Sequence, residues 1–381
     1  MGQKKCSGGK KIWLSFQMNK YACGMVFSGS GIPMKAQEFP LPDLNESELL
    51  VKIKYATICT SDIHTYQGFR NTSVPTILGH EMIGEVNTLP LEGCPKDFYG
   101  NDLEVGDIIT WSVVASCGDC HYCNIGVSQK CSHIIKYGHE KIVENHPLSG
   151  GYAEYCHLAK GTPIIKLPED IPYKVLAPAN CTTATTAAAF RIAGDCSGKV
   201  VIIQGVGMLG LTACSMARYF GAREVIAIDI DEKRLNIASE FGATKKLLID
   251  NNPKKIVSNV LQITNGHKGD IIFEMSGVSS SVELGINLLS IGGHFVLVGS
   301  VFTQPTVEIS PENIVRNLFN IHGVHNYTAK DLAMAIKFLI ENHSKYPFKL
   351  LTSSEFSLKE VNEAFEFSSD TKPFRVAVVP N

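Results

Sequence analysis

The stretch VVIIQGVGMLG, Val200 to Gly210, decides the fold of the second half of the chain. VVIIQ reads as a buried strand, and Gly205, Gly207 and Gly210 follow at G-x-G-x-x-G spacing, just as the helical pattern MLGLTACSMARYF begins. A turn of this kind has a mechanical use. Its first glycine permits the tight turn, its second lets backbone approach a pyrophosphate, and its third lets helix and strand pack closely. The helix N-terminus then offers N–H groups and a partial positive charge to the phosphates. Gly205, Val206, Gly207, Met208, Leu209 and Gly210 are therefore the candidate cofactor loop. Asp229 ends the next strand, VIAID, 19 residues beyond Gly210. A carboxylate there can accept both hydroxyls of an adenosine ribose and would repel a 2′-phosphate, which favours NAD over NADP. Arg234, five residues on, softens that preference. The alternative is a glycine-rich turn beside a solvated aspartate.

Outward from this turn, strand and helix keep alternating. EKRLNIASEFG is a second helix closed by Gly242, as Gly221 closes the first, and DIIFEMSG and GGHFVLVG are further strands. Repeated β-α-β alternation predicts a doubly wound parallel sheet over residues 186–321. The last of these strands, HFVLVG, is expected at the sheet edge, where it could pair across a two-fold axis. Before this region, residues from about 48 to 165 read as mainly β: LLVKIKYATI, GEVNTL and DIITWSVV are short β-branched runs punctuated by glycine. After it, DLAMAIKFLIEN is an amphipathic helix, and Ser357 with Glu360 predicts a capping box before LKEVNEAFEF. Residues 1–17 are expected to be a poorly ordered extension.

At 381 residues the chain is long enough for two cores. A net charge of -2 argues against a general nucleic-acid or membrane-surface role. The longest apolar stretch is broken by Gln204, three glycines and Arg218, so no membrane span is expected. Twelve cysteines without a secretory signal point to a reducing compartment, and the cytoplasm is the expected location.

Four of the cysteines, Cys117, Cys120, Cys123 and Cys131, lie at C-x2-C-x2-C-x7-C spacing. Four thiolates so close in sequence suit one tetrahedral zinc in a closed, structural site. Iron–sulfur ligation is the other reading. A zinc-ribbon nucleic-acid module ranks last, because Lys130 is the only Lys or Arg between Cys117 and Cys131. Upstream, Cys59 begins C-T-S-D-I-H, and Gly79-His80-Glu81 follows; Cys181 is a third candidate thiolate, in APANCTTAT. Two Cys and one His would leave a fourth zinc position open, as a catalytic site requires, although buried free cysteines are common.

With these motifs in this order, the chain resembles the zinc-dependent medium-chain dehydrogenase/reductase family, the family of the zinc alcohol dehydrogenases, from about Tyr21 onward. Within it, WSVVASCGDCHYCNIGVSQKC, KYGHE and LSGGYAEYCHLAKGTPI look most like a subgroup associated with phosphonate catabolism. The resemblance implies an α/β chain. A GroES-like, mainly β catalytic domain would cover 18–185 and 322–381, with a Rossmann NAD-binding domain over 186–321. It implies that Cys59, His80 and Cys181 hold a catalytic zinc, that Glu81 can approach the metal, and that Asp62 orients the zinc-bound histidine. It assigns Ser61 to the substrate hydroxyl, His64 to the end of a proton relay and Arg375 to the pyrophosphate. It implies two zinc ions and NAD per chain, an alcohol or carbonyl substrate, and a homodimer or homotetramer. Two residues depart from the family pattern. Thr60 stands where some members carry a basic residue, so cofactor binding is expected to be looser, and Cys181 replaces the glutamate of polyol-type members.

The implied activity is reversible hydride transfer between an alcohol and a nicotinamide cofactor. The alternatives are a cyclitol- or sugar-type dehydrogenase of the same fold and a non-catalytic NAD(H) sensor; the set Ser61, Asp62 and His64 argues against the sensor. Trp111, Tyr66, Phe69 and Tyr137 read equally as pocket lining or core. Arg70 and Lys136 are candidates for an anionic substrate group such as a phosphonate, the plainer reading being solvated surface cations.

Overall fold

The computed structural model describes residues 20–250 and 252–380, so the expected extension over residues 1–17 lies outside the described residues. The chain forms two compact units. One comprises residues up to Cys181, Thr328–Ile336 and the segment from Lys349 onward; the other comprises Thr182–Tyr327 and Lys337–Phe348.

The first unit is built on a sheet whose spine is the nine-residue strand Leu49–Thr57, with alternating β-branched residues of which Val51 and Ile53 are fully buried. It pairs antiparallel with Glu81–Thr88 on one side and Arg375–Val379 on the other. Ile108–Trp111 and Ile164–Lys166 extend the sheet beyond Glu81–Thr88, and Thr352–Ser357 extends it beyond Arg375–Val379. The chain's last strand therefore lies beside the strand that leads into Cys59. Tyr21–Phe27 pairs with Lys35–Pro40 and Thr76–Ile77 in a separate three-stranded sheet.

The expected β region also contains a helix, Thr60–Tyr66. Cys59 and Asp62 cap it with the geometry of a capping box, a cysteine standing where serine is usual. The Ser357–Glu360 capping box forms as expected, opening a 3-10 turn that leads into the helix Val361–Thr371. Trp111 and Tyr137 are fully buried in the core, Tyr66 packs on Phe27 and Phe365, and Phe69 is exposed.

The second unit carries six parallel strands in the order Lys245–Leu248, Glu224–Asp229, Val200–Gln204, Gly269–Glu274, Leu289–Leu297, Asn320–Gly323. By sequence this is 3-2-1-4-5-6, the order of a dinucleotide-binding doubly wound sheet. The central strands read VVIIQ and DIIFE because both faces are covered. The edge assignment needs correction. HFVLVG belongs to Leu289–Leu297, which is internal, and the edge is Asn320–Gly323. NIHG has four residues, of which only Ile321 is a strand former, and carries no strand pattern by itself.

Candidate active site and metal centres

Cys59, His80 and Cys181 come together within the first unit, brought there by a helix cap, the start of a strand and the end of a 3-10 turn. One ligand atom each from Cys59, His80, Glu81 and Cys181 lies within 4.8 Å of all the others. His80 is held from behind: its Nδ1 lies 3.0 Å from Asp62 Oδ1. Asp62 is fully buried, and its other oxygen accepts from the Cys59 N–H at 3.0 Å and the Tyr152 hydroxyl at 3.2 Å. A histidine that donates Nδ1–H to this carboxylate presents Nε2 to a metal. Ser61, one turn away, places its hydroxyl 3.3 Å from that Nε2.

Charge is concentrated here. The Cys59 thiol is pulled well below its usual value by its hydrogen bond with Cys181; burial opposes this, and Arg375 and His80 assist. Burial by itself would depress His80, but Asp62 and the Cys59 sulfur outweigh it and push the imidazole up to about 10. A thiolate and an imidazolium that share a buried site suit a cation that would displace the proton.

Glu81 is fully buried and held by three short hydrogen bonds. Its carboxylate accepts from Arg375 Nε and Nη2, each at 2.6 Å, and from the Thr57 hydroxyl at 2.6 Å. Arg375 Nη2 also lies 3.5 Å from the Cys59 sulfur, and Nη1 donates to the Phe374 carbonyl at 2.8 Å. Burial raises the Glu81 carboxyl, and Arg375 opposes that shift. His64 is half-buried with its ring edge-on to Phe69, and burial holds its pKa below the ordinary histidine value.

The second cluster fits one tetrahedral ion. Sulfur–sulfur distances are 3.4 Å for Cys117–Cys131, 3.5 Å for Cys120–Cys123 and 3.8 Å for Cys120–Cys131. A zinc with ~2.3 Å bonds to sulfur needs tetrahedral edges of about 3.8 Å. Backbone N–H groups of Cys117 and His133 point at the Cys131 sulfur, each at 3.3 Å, as they would toward a thiolate. The N–H groups of Ser132 and Cys123 hold the Cys120 thiol down to about 5.

In the second unit, Gly205 has φ +85, and a side chain there would strike Ser276. A Cβ on Gly210 would collide with the Gly205 carbonyl, so the helix Met208–Tyr219 packs directly on the turn. Gly207 is the N-cap of that helix; Val206 and Met208 are buried and Leu209 is half-buried. Asp229 accepts from the Val206 N–H at 2.7 Å and the Asp231 N–H at 2.9 Å, tying its strand to the glycine loop. Arg234 extends back until its Nη1 is 3.9 Å from where a Gly207 side chain would begin.

Residues 45–169 match the alcohol dehydrogenase GroES-like domain and residues 208–341 match the zinc-binding dehydrogenase domain. The chain is 30% identical over 349 residues to a sorbitol dehydrogenase of Halalkalibacterium halodurans, covering 90% of this chain and 95% of that one. It belongs to the zinc-dependent medium-chain dehydrogenase/reductase family. It is 28% identical over 335 residues to a 5-exo-hydroxycamphor dehydrogenase of Pseudomonas putida, covering 86% of this chain and 91% of the relative. An alcohol dehydrogenase structure from Thermotoga maritima superposes with a TM-score of 0.89 at 29% identity, over 95% of this chain and all of the other. The likeness establishes the family and not the phosphonate-associated subgroup. As a member, the chain is an oxidoreductase that uses zinc and a nicotinamide dinucleotide. No helix among the described residues is long and apolar enough to cross a membrane.

The sequence left the tie between Glu81 and Arg375 unread. The two are 294 residues apart, and no local pattern links them. The antiparallel pairing of Leu49–Thr57 with both of their strands is what joins them.

Proposed function

We propose that this chain is an NAD-dependent zinc alcohol dehydrogenase that interconverts an alcohol and its aldehyde or ketone. The carrying observation is the buried set Cys59, His80 and Cys181, with Asp62 behind the histidine and the Ser61 hydroxyl in front of it. Zinc held by these three supplies a Lewis acid that lowers the pKa of an alcohol oxygen. Glu81 is held by Arg375 and Thr57 beside these three residues. Ser61 accepts the alcohol proton at its hydroxyl and His64 passes it toward water. His64, held below its ordinary pKa by burial, is neutral near pH 7 and ready to receive it. NAD⁺, when bound, would supply the hydride acceptor.

Gly205 to Gly210 cradle the pyrophosphate in this reading, and Asp229 takes the ribose hydroxyls, giving NAD preference with Arg234 as a moderating cation. The four-cysteine cluster holds a structural zinc. We assign residues 18–185 and 322–381 to the catalytic domain and 186–321 to the cofactor domain. The assembly is a homodimer or homotetramer in the cytoplasm, with Asn320–Gly323 as the strand that pairs between copies.

A second reading, a polyol dehydrogenase, is favoured by the sorbitol dehydrogenase relative and disfavoured by Cys181 as third ligand. NAD⁺ reduction by zinc-loaded protein on simple alcohols, polyols and anionic alcohols separates the readings. Absence of turnover on every class, with NAD⁺ bound and zinc present, would overturn both in favour of a sensor.

A further inference from the structure

Glu274 ends the strand Gly269–Glu274 and pairs there with Gln204, the residue before the glycine turn. Their strands are the first and fourth of the parallel sheet by sequence, the point at which the strand order reverses. Each half of such a sheet takes one nucleotide, so a dinucleotide lies across this point. With its adenosine ribose at Asp229, beyond the second strand, and its pyrophosphate on the turn after the first, its nicotinamide half falls beyond the fourth and fifth strands. There the chain leaves Glu274 and Leu297 for two loops.

The Glu274 side chain is fully buried and turned onto these loops. Its Oε1 accepts from the Ser276 N–H at 2.7 Å, the Gly277 N–H at 2.9 Å and the Ser276 hydroxyl at 2.5 Å. Its Oε2 accepts from the Ser300 hydroxyl at 3.4 Å. Its backbone carbonyl accepts from the Val298 and Gly299 N–H groups at 3.0 and 2.9 Å. No lysine, arginine or histidine among the described residues forms an ion pair with it. Burying a carboxyl group without a cation is unfavourable unless hydrogen bonds replace its water, and here every side-chain partner is a loop donor. The loops are also laid against each other. A Cβ on Gly277 would lie 2.6 Å from the Gly299 carbonyl oxygen, and one on Gly299 would strike the Gly277 nitrogen. The glycine turn joins them, because a Cβ on Gly205 would lie 2.8 Å from the Ser276 nitrogen. One carboxyl group thus ties both loops together and, through Ser276, sets them against the pyrophosphate turn.

We infer that Glu274 is a positioning residue for the nicotinamide ring: by holding loops 276–278 and 298–300 in one arrangement it shapes the seat in which the ring lies, and it leaves the adenosine half of the cofactor untouched. This rests on the dinucleotide reading above. Glu274 is itself out of a ligand's reach beneath the loops, so its effect is carried by their backbone. Hydride transfer makes that effect matter, since a misplacement of ~1 Å at a reacting centre can cost about 100-fold in rate.

ADP-ribose supplies the control, because it is the cofactor without its nicotinamide. Binding of NADH and of ADP-ribose to zinc-loaded protein is measured by calorimetry for the wild type, Glu274→Ala and Glu274→Gln. Alanine removes both side-chain acceptors, and is expected to weaken NADH at least tenfold and ADP-ribose less than threefold. Glutamine keeps an oxygen for the Ser276 and Gly277 donors, and is expected to bring NADH back to within threefold of the wild type. Equal weakening of both ligands in Glu274→Ala, or a lower melting temperature with neither affinity changed, makes Glu274 a residue of the fold alone and overturns the inference. A wild type that binds NADH no more tightly than ADP-ribose also overturns it, since the ring then gains nothing from its seat. A wild type that binds neither strikes the dinucleotide reading itself, and the inference with it. Should Glu274→Ala fail to fold, Ser276→Ala decides. It removes the hydroxyl that donates to Glu274 and accepts from the Val278 N–H at 3.2 Å. A loss of at least threefold for NADH with ADP-ribose unmoved is expected, and an unchanged ratio between the two ligands refutes the inference.

Discussion

Asp62→Asn is the substitution whose consequence can be followed furthest. The Asp62 carboxylate accepts from His80 Nδ1, the Cys59 N–H and the Tyr152 hydroxyl, all from within the core. An asparagine keeps one acceptor oxygen and turns an N–H₂ group toward one of these donors. Loss of such an orienting partner typically costs ~10–100-fold in metal affinity, about 1.4–2.7 kcal/mol. The charge has a second effect. In metal-free protein His80 is raised to about 10, so zinc must displace its proton, and affinity increases with pH up to that value. Near neutral pH this proton costs on the order of 3 kcal/mol. Without the carboxylate only the Cys59 sulfur opposes burial, so His80 falls from that value and the cost shrinks. The ratio of wild-type to variant affinity is therefore largest at high pH and falls as the pH drops, because the wild type pays increasingly to displace the His80 proton. The assay is competition with a chromogenic chelator between pH 6.5 and 9, with the four-cysteine site as internal reference because Asp62 does not touch it. Parallel pH profiles in the two proteins would refute the reasoning.

Cys59→Ser removes a thiolate from the same cluster; turnover should fall by at least a thousandfold while NAD⁺ binding, followed by fluorescence titration, stays within about threefold. Intact turnover would take Cys59 out of the ligand set. Asp229→Gly should lower the NAD⁺ to NADP⁺ preference in kcat/KM by at least tenfold. It also strips the acceptor from the Val206 and Asp231 N–H groups, a loss of about 1–3 kcal/mol each that a melting curve should register. An unchanged cofactor preference would move the ribose contact to another residue. Cys120→Ser should reduce bound zinc, counted by atomic emission, from two ions to one, one ion remaining at the other of the two clusters, and lower the melting temperature. Unchanged zinc content would deny the structural site its metal.

Much of the cofactor unit was legible because its strands are buried on both faces and its helices end at glycines; VVIIQ and DIIFE announce themselves by composition alone. Its last strand was not. Asn320–Gly323 forms only because the preceding strand offers it a parallel partner from His294 to Leu297, which is a tertiary cause. The ligand residues were legible as a family pattern, whereas their supports were read in part. Asp62 was implied by the family resemblance, but the Tyr152 hydroxyl behind it is 90 residues away. The helix Thr60–Tyr66 was hidden inside a β region because its cap is a cysteine. Lys136 reads as a surface residue in any sequence, since lysine is seldom buried. What draws it inward is a backbone contact between Gly138 and Gly79, which no side-chain pattern records.

That contact bears on how the enzyme tolerates change. Gly138 meets the Gly79 carbonyl, and a side chain on Gly150 would run into the Ile77 carbonyl, so the chain around His80 is laid backbone against backbone. Alanine at either position would have to force these segments apart and drag the ligand with them. Neither glycine has any chemistry to perform. In a library scored for activity both would nonetheless be as intolerant as the zinc ligands themselves. A functional map of this chain drawn from such data would outline a site larger than the one that reacts, and its outer ring would mark where the polypeptide has no room to vary.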